Sequence, residues 1–209
     1  MIKEKYHGQT IDELLQFFKL NPTGILHVGA HKCEELNVYT KYVDAKNIYW
    51  IEANPNLANQ FKNSVQNIIN EIVSDSDGQH IKFKITNNTL SSSILDLEYH
   101  KIVHPNVVVS DIIEGKSKTL KTIINENSIP KTLNLLVLDL QGVELLALKG
   151  LKELINNFEY IYTEVNEVHL YKNGCLIEEL DEYLKNYSFQ RKYINTLNGY
   201  GNGFYIKNK

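Results

Sequence analysis

Three acids have types and spacing that could do proton chemistry: Asp139, Glu144 and Glu164. Asp139 follows the apolar run Leu135 to Leu138, precedes Leu140, and ends a segment short enough to be a buried strand. Gln141-Gly142 then turns the chain, and Val143 to Lys149 reads as an amphipathic helix that places Glu144 one turn in from Asp139. Glu164 and Asn166 end a second strand-like run, Tyr160 to Val165. An acid at the carboxyl end of a central strand sits over the crevice where open α/β sheets bind ligands. Such a carboxylate can act as general base toward a hydroxyl. Asp139 could instead only cap the helix that follows it. Asp139 and Glu164 together could hold Mg²⁺, which favours carboxylate oxygens; with two strong ligands in view, the expectation is no metal.

A second set of residues lies upstream. Gly29 ends Ile25-Leu26-His27-Val28 and is followed by Ala30 and His31, a glycine turn where backbone amides can approach a ligand. Glu52 stands 23 positions after Gly29, followed by Ala53 and Asn54. A carboxylate at about 20 residues from such a turn is placed to accept hydrogen bonds from ribose hydroxyls. Ser74 and Asp75 close a third strand-like run, and Asp75 could meet the exocyclic amine of a base. These eight residues are the cofactor-binding candidates. The turn has one glycine where a dinucleotide fold wants three, and Glu34 and Glu35 enter the next helix. Two acids there repel a pyrophosphate and tolerate a ligand with a cationic centre. S-adenosylmethionine has a sulfonium and an amino group, and no phosphate.

The elements that must position these residues alternate. Thr10-Ile11-Asp12-Glu13 has capping-box spacing and opens a helix. Strands are expected over 25–30, 47–53, 68–74, 107–113 and 160–165, and an edge-like strand over Ile81, Phe83 and Ile85. Helices are expected over 34–42, from Asn54-Pro55 onward, over 119–127 and over 176–187. Gln190 to Ile194 and Gly203 to Ile206 read as a terminal hairpin around a glycine- and asparagine-rich turn. This order predicts a mostly parallel sheet covered on both faces, with an antiparallel addition at its end. One domain is expected over 1–209, with 1–23 as an amino-terminal helical extension.

The 209 residues carry a net charge of −3, with scattered lysines and Arg191 as the single arginine. A duplex nucleic-acid binder would present a basic face, so no nucleic-acid partner is expected. Cys33 and Cys175 have no ligand-type spacing. No apolar run reaches the length of a membrane span and the amino end has no signal-peptide core, which predicts a cytoplasmic protein.

The motifs HVGAHKCEE, IEANP, SDSDG, NNTLSSS, LDLQGVELLALKG and YTEVN together resemble the FkbM-type family of S-adenosylmethionine-dependent methyltransferases, over roughly Gly24 to Phe189. His31 stands for an asparagine of the family's usual first motif, and Cys33 for its last glycine. The resemblance implies a class I methyltransferase fold: a Rossmann-like three-layer α/β sandwich on a seven-stranded sheet with the last strand antiparallel. It also implies O-methylation of a sugar or glycan precursor, or another hydroxyl-bearing small molecule. Asn88, Ser92, Ser93, Gln141, Asn166 and His169 are then the acceptor-side candidates. His169 and Tyr171 lie in a loop where a ring could stack on a sugar, and His100 and His104 in a segment that could form a lid. A nucleic-acid methyltransferase and a non-catalytic binding protein on a decayed methyltransferase fold are the competing readings.

Overall fold

The computed structural model describes residues 10–208. The chain alternates as the sequence pattern predicts. α1 (Ile11–Phe17) is followed by β1 (Ile25–Val28), α2 (Leu36–Tyr39), β2 (Ile48–Glu52), α3 (Pro55–Phe61), β3 (Ile68–Asn70) and β4 (Ile72–Val73). Then come β5 (His80–Thr86), α4 (His100–Val103), β6 (Val109–Lys118), α5 (Leu120–Glu126) and β7 (Leu135–Leu138). The carboxyl-terminal part holds α6 (Glu144–Leu151), β8 (Tyr160–Asn166), α7 (Ile177–Lys185), β9 (Phe189–Leu197) and β10 (Tyr200–Lys207).

Seven strands form one sheet in the order β3-β2-β1-β7-β8-β10-β9. The first five are mutually parallel, and β10 runs antiparallel between β8 and β9. This is the mostly parallel α/β sheet expected of the class I methyltransferase fold. β1 and β7 are buried on both faces at every position, as central parallel strands must be. Leu26, Val28, Leu136 and Leu138 turn to one face, where α5, α6 and α7 supply Ile123, Leu148, Leu180 and Leu184. Ile25, Leu135 and Val137 turn to the other, against Leu14 and Leu15 of α1 and Tyr39 of α2. The Thr10–Glu13 capping box forms in full.

Four expectations change in detail. The strand expected over 68–74 divides: β3 stays in the main sheet, while β4 pairs with Ser117 and Lys118 in a second sheet, β4-β6-β5. β6 runs on to Lys118, well past 113, because β5 pairs with it antiparallel up to Lys116 and β4 pairs with Ser117 and Lys118. The helix expected over 34–42 is a single turn, α2. Its run of Val38, Tyr39 and Thr40 has low helix propensity, and Thr40 turns its hydroxyl back onto the Leu36 carbonyl at 2.9 Å. The terminal hairpin is longer than expected, because Gly201 and Asn202 lie within β10 and the turn narrows to Asn198 and Gly199, both at positive φ.

The ends of β1 and β7 meet at Gly29. Its φ is +87°, and a Cβ there would lie 1.8 Å from the Asp139 carbonyl oxygen. The Asp139 N–H donates to the Val28 carbonyl at 3.0 Å, which holds the two strand ends together. Gly29→Ala is therefore expected to cost more than about 2 kcal/mol, by strain plus forced separation of β1 from β7. Denaturant unfolding of the variant checks this, and a loss under about 0.5 kcal/mol would contradict it.

Candidate active site

A cleft opens at the carboxyl ends of β1, β2 and β7, where open α/β sheets bind ligands. Gly29, His31, Glu52, Ala53, Ser92, Asp139 and Gln141 line it, so residues far apart in the chain are brought to one place. Ile72, Val73, Phe83, Ile94, Leu140 and Val143 complete it as a largely apolar wall.

Glu52 ends β2 and is buried. One carboxyl oxygen accepts the His31 N–H at 2.7 Å and the other the Asn54 N–H at 2.7 Å. Each oxygen retains acceptor capacity toward the cleft. Burial pushes this carboxyl up to about 7, and the two amides oppose the shift. Asn54 itself caps α3, accepting the Asn56 N–H at 3.0 Å, and so shapes the turn from within. His31 and Cys33 hold φ values of +47° and +57°. Both residues thus hold left-handed backbone without being glycine, and the Cys33 side chain goes into the core beside Tyr39 and Trp50. The His31 ring bonds Glu34 at 2.7 Å through Nδ1 and the Thr89 hydroxyl at 2.8 Å through Nε2, closing one end of the cleft.

The acidic end is built on a strained turn. Gln141 has φ +55° and Gly142 φ +99°. The Gln141 amide donates from Nε2 to Asp139 Oδ1 at 2.6 Å and to Glu164 Oε2 at 2.5 Å. Asp139 is exposed toward the cleft, and the protein packed around it raises its carboxyl, an effect that Gln141 opposes. Glu164 is buried and pushed well above the carboxylate range, first by burial and then by the charge of Asp139. Asn166, at the end of β8, hydrogen-bonds Glu164, while its Oδ1 is buried with no partner.

Glu144 is fully buried. It accepts the Leu140 N–H at 2.8 Å and the Gly142 N–H at 3.1 Å, and takes the Cys175 thiol at 3.5 Å. Its acceptors are taken up by the turn that carries Asp139, so this geometry has it fix that turn rather than face the cleft. Burial raises its carboxyl to about 7.

Other expected positions fall outside the cleft. Ser74 is buried, with its N–H on the Lys118 carbonyl at 3.0 Å and its own carbonyl packed against Gly150. Asp75 accepts the Ser76 hydroxyl at 3.0 Å within its turn. Division of the third strand moves both residues aside and puts Ile72 and Val73 at the cleft instead. Asn88 is exposed and Ser93 is buried, its hydroxyl donating to the Gln141 carbonyl at 2.8 Å. His169 is exposed, its ring bonded to the Gly174 carbonyl at 2.9 Å. Tyr171 is 0% exposed and cannot stack on a ligand. Ala30 is buried in the core. Among the described residues no group of three or more His, Cys, Asp or Glu could hold a metal ion, and no helix is long and apolar enough to cross a membrane. Phe83 and Ile94 were legible as apolar positions in the sequence, but nothing local says that they face a cleft.

The model of the Methyltransferase FkbM domain matches residues 27–191. No curated protein matches the chain. Two solved structures are similar. One is M. capricolum TrmK in complex with S-adenosyl-homocysteine, at 13% identity and TM-score 0.44, with 96% of this chain and 69% of that chain covered. The other is a SAM dependent methyltransferase from Aquifex aeolicus, at 14% identity and TM-score 0.45, with coverages of 93% and 87%.

Glu52 and Glu144 together predict an unusual stability profile. Both have folded values raised from 4.5 to about 7, so the stability they contribute is complete below 4.5 and lost as pH rises through 7. Glu164 acts in the same direction. Buried His27, lowered to about 3, opposes them with stability that is lost as pH falls below 6.5. Glu35, raised to about 7, and Asp139, also raised, add to the carboxyl side, and His100, lowered by burial, adds to the imidazole side. The carboxyls outnumber the imidazoles, so the melting temperature should be higher at pH 5.5 than at pH 8, by on the order of 5 °C. Glu144→Gln should flatten the difference. Calorimetric scans across that range check both statements.

Proposed function

Because the chain belongs to the FkbM methyltransferase family, we propose that it transfers a methyl group from S-adenosylmethionine to a hydroxyl of a sugar or glycan precursor. The observation that carries this reading is one cleft holding Glu52 at one end and the open carboxylate of Asp139 at the other. The residues present fit S-adenosylmethionine. Glu52 has a free acceptor position on each oxygen for the two ribose hydroxyls. Ile72, Val73, Phe83 and Val143 offer an apolar slot for the adenine ring. Asp139 lines the cleft where a cationic centre would lie, and Glu34 and Glu35 add negative charge near it, with Arg191, the single arginine, paired to Asp181 elsewhere.

When bound, this cofactor supplies an electrophilic methyl group on a sulfonium. The chain's own part is to place the acceptor oxygen in line with that methyl group and to receive its proton. Asp139 is the residue we assign to the proton. The Asp139 carboxylate would accept the proton that the acceptor hydroxyl gives up on methylation. Ser92 lines the cleft, but its hydroxyl donates to the Thr89 carbonyl at 2.9 Å and accepts the Thr86 N–H at 3.2 Å, so it shapes the loop on the acceptor side. The −3 net charge and the absence of a basic cluster in the sequence favour a small neutral acceptor over nucleic acid.

Calorimetry with S-adenosylmethionine, S-adenosylhomocysteine and NAD tests the cofactor, and transfer of labelled methyl groups to a glycoside panel tests the acceptor. Glu52→Ala should weaken S-adenosylhomocysteine binding by about 1–3 kcal/mol, because two ribose hydroxyls lose their partner. Unchanged affinity would remove Glu52 from the site. Binding to wild type should also tighten as pH rises through 7, since the ionised carboxyl accepts both hydroxyls and the protonated one only partly. Asp139→Asn should lower turnover by about 10²–10⁴-fold with little change in cofactor affinity. Near-normal turnover in a folded Asp139→Asn enzyme would exclude it as the base.

A further inference from the structure

We propose that Tyr171 and Gln141 are positioning residues that hold Asp139 and Glu164 as a single pair sharing one proton, so that Asp139 carries the charge facing the cleft. The bearing on catalysis rests on the methyl-transfer reading above, whereas the shared proton does not.

The Gln141 side chain is fixed at both ends. Its Nε2 reaches one carboxyl oxygen of Asp139 and one of Glu164, and its Oε1 accepts the Tyr171 hydroxyl at 2.6 Å. An amide can be turned over by rotation about its last bond, and the two faces have opposite hydrogen-bonding character. Turned over, Oε1 would face two acids. The Tyr171 hydroxyl, buried and donating, selects the orientation that presents the NH₂ group to them. The turn is fixed too: the Ser93 hydroxyl holds the Gln141 carbonyl at 2.8 Å, and the Tyr171 ring packs so closely on Gly142 that a Cβ there would lie 3.2 Å from it. Tyr171 therefore acts at a distance, through the amide, on groups that it does not touch.

Two carboxyls served by one NH₂ group repel if both are ionised, and sharing one proton removes the repulsion. Burial settles where the proton goes. Glu164 is enclosed, while Asp139 opens to the cleft, so the charge is less costly on Asp139. Each carboxyl acts on the other in the matching sense: Glu164 favours the ionised form of Asp139, and Asp139 favours the protonated form of Glu164. The charged or titratable groups that face the pair reinforce this. Glu144 from α6, and Glu34, Glu35 and Glu52 from the turns after β1 and β2, add negative charge, and His31 is the nearby group that can offset it.

Infrared difference spectroscopy on the full chain tests the pair without any acceptor. The carboxylic C=O band removed by Glu164→Gln should persist through neutral pH in the wild type. In Tyr171→Phe and in Gln141→Leu its titration midpoint should move up by about one pH unit or more, because the donor that stabilises the charge is lost or turned away. Near-UV circular dichroism establishes that each variant is folded, and the two variants disturb the amide by different routes. S-adenosylhomocysteine affinity should stay within about threefold in Tyr171→Phe, since Tyr171 is buried outside the cleft lining and Glu52 is untouched. An unmoved midpoint in both folded variants would overturn the proposal. So would a Glu164→Gln spectrum that retains the whole carboxylic band at neutral pH. Wild-type protein that fails to bind S-adenosylhomocysteine, yet shows the band and its shift, would overturn the methyl-transfer reading and leave the pair intact.

Discussion

The contact between the backbones of β1 and β7 at their carboxyl ends is the constraint on which the rest of the structure depends. Gly29 comes so near the Asp139 carbonyl that no side chain fits between them, and Asp139 donates its own N–H to Val28. Once these ends are fixed, the turn after β1 must leave sharply, which brings the His31 N–H onto Glu52. The turn after β7 must leave on the other side, which aims the Asp139 carboxylate into the same cleft. A single close approach in the sheet thus sets the relation between the two ends of the site.

The site is unusual in its surplus of acid. Asp139, Glu144, Glu164 and Glu52 are all pushed upward, and burial is the first cause in each case. Their partners are neutral donors: backbone amides, the Gln141 side chain and the Cys175 thiol. Neutral donors satisfy hydrogen bonds without cancelling charge, so the region favours a ligand that brings positive charge or donor groups of its own. A sulfonium with an amino group, and a polyol beside it, meet both requirements.

The turn after β1 shows how a motif survives substitution. Cys33 takes a left-handed backbone where the family pattern has glycine, and buries its thiol among aromatic side chains. His31, where the pattern has asparagine, is also left-handed and has two ring partners, Glu34 and Thr89. Left-handed residues other than glycine cost strain, and the contacts around both side chains hold them there.

The sequence by itself determined the order of the elements, the parallel sheet with its antiparallel end, and the two carboxylates at strand ends. These follow from local patterns: apolar runs bounded by turns, a capping box, proline after asparagine, and a glycine where a strand hands over to a helix. Gly29, Glu52 and Asp139 were legible because a residue at the end of a strand inherits its place from the strand. Only the tertiary structure decided what faces those residues. Asp75 looked as well placed as Glu52, yet it lies aside because β4 leaves the main sheet to pair with β6, a choice made by a partner more than forty residues away. Tyr171 read as a ring free to stack, and it is instead a buried hydroxyl holding an amide. Local pattern fixes which backbone direction a residue takes, whereas its chemical role depends on neighbours from distant parts of the chain, which packing alone assembles.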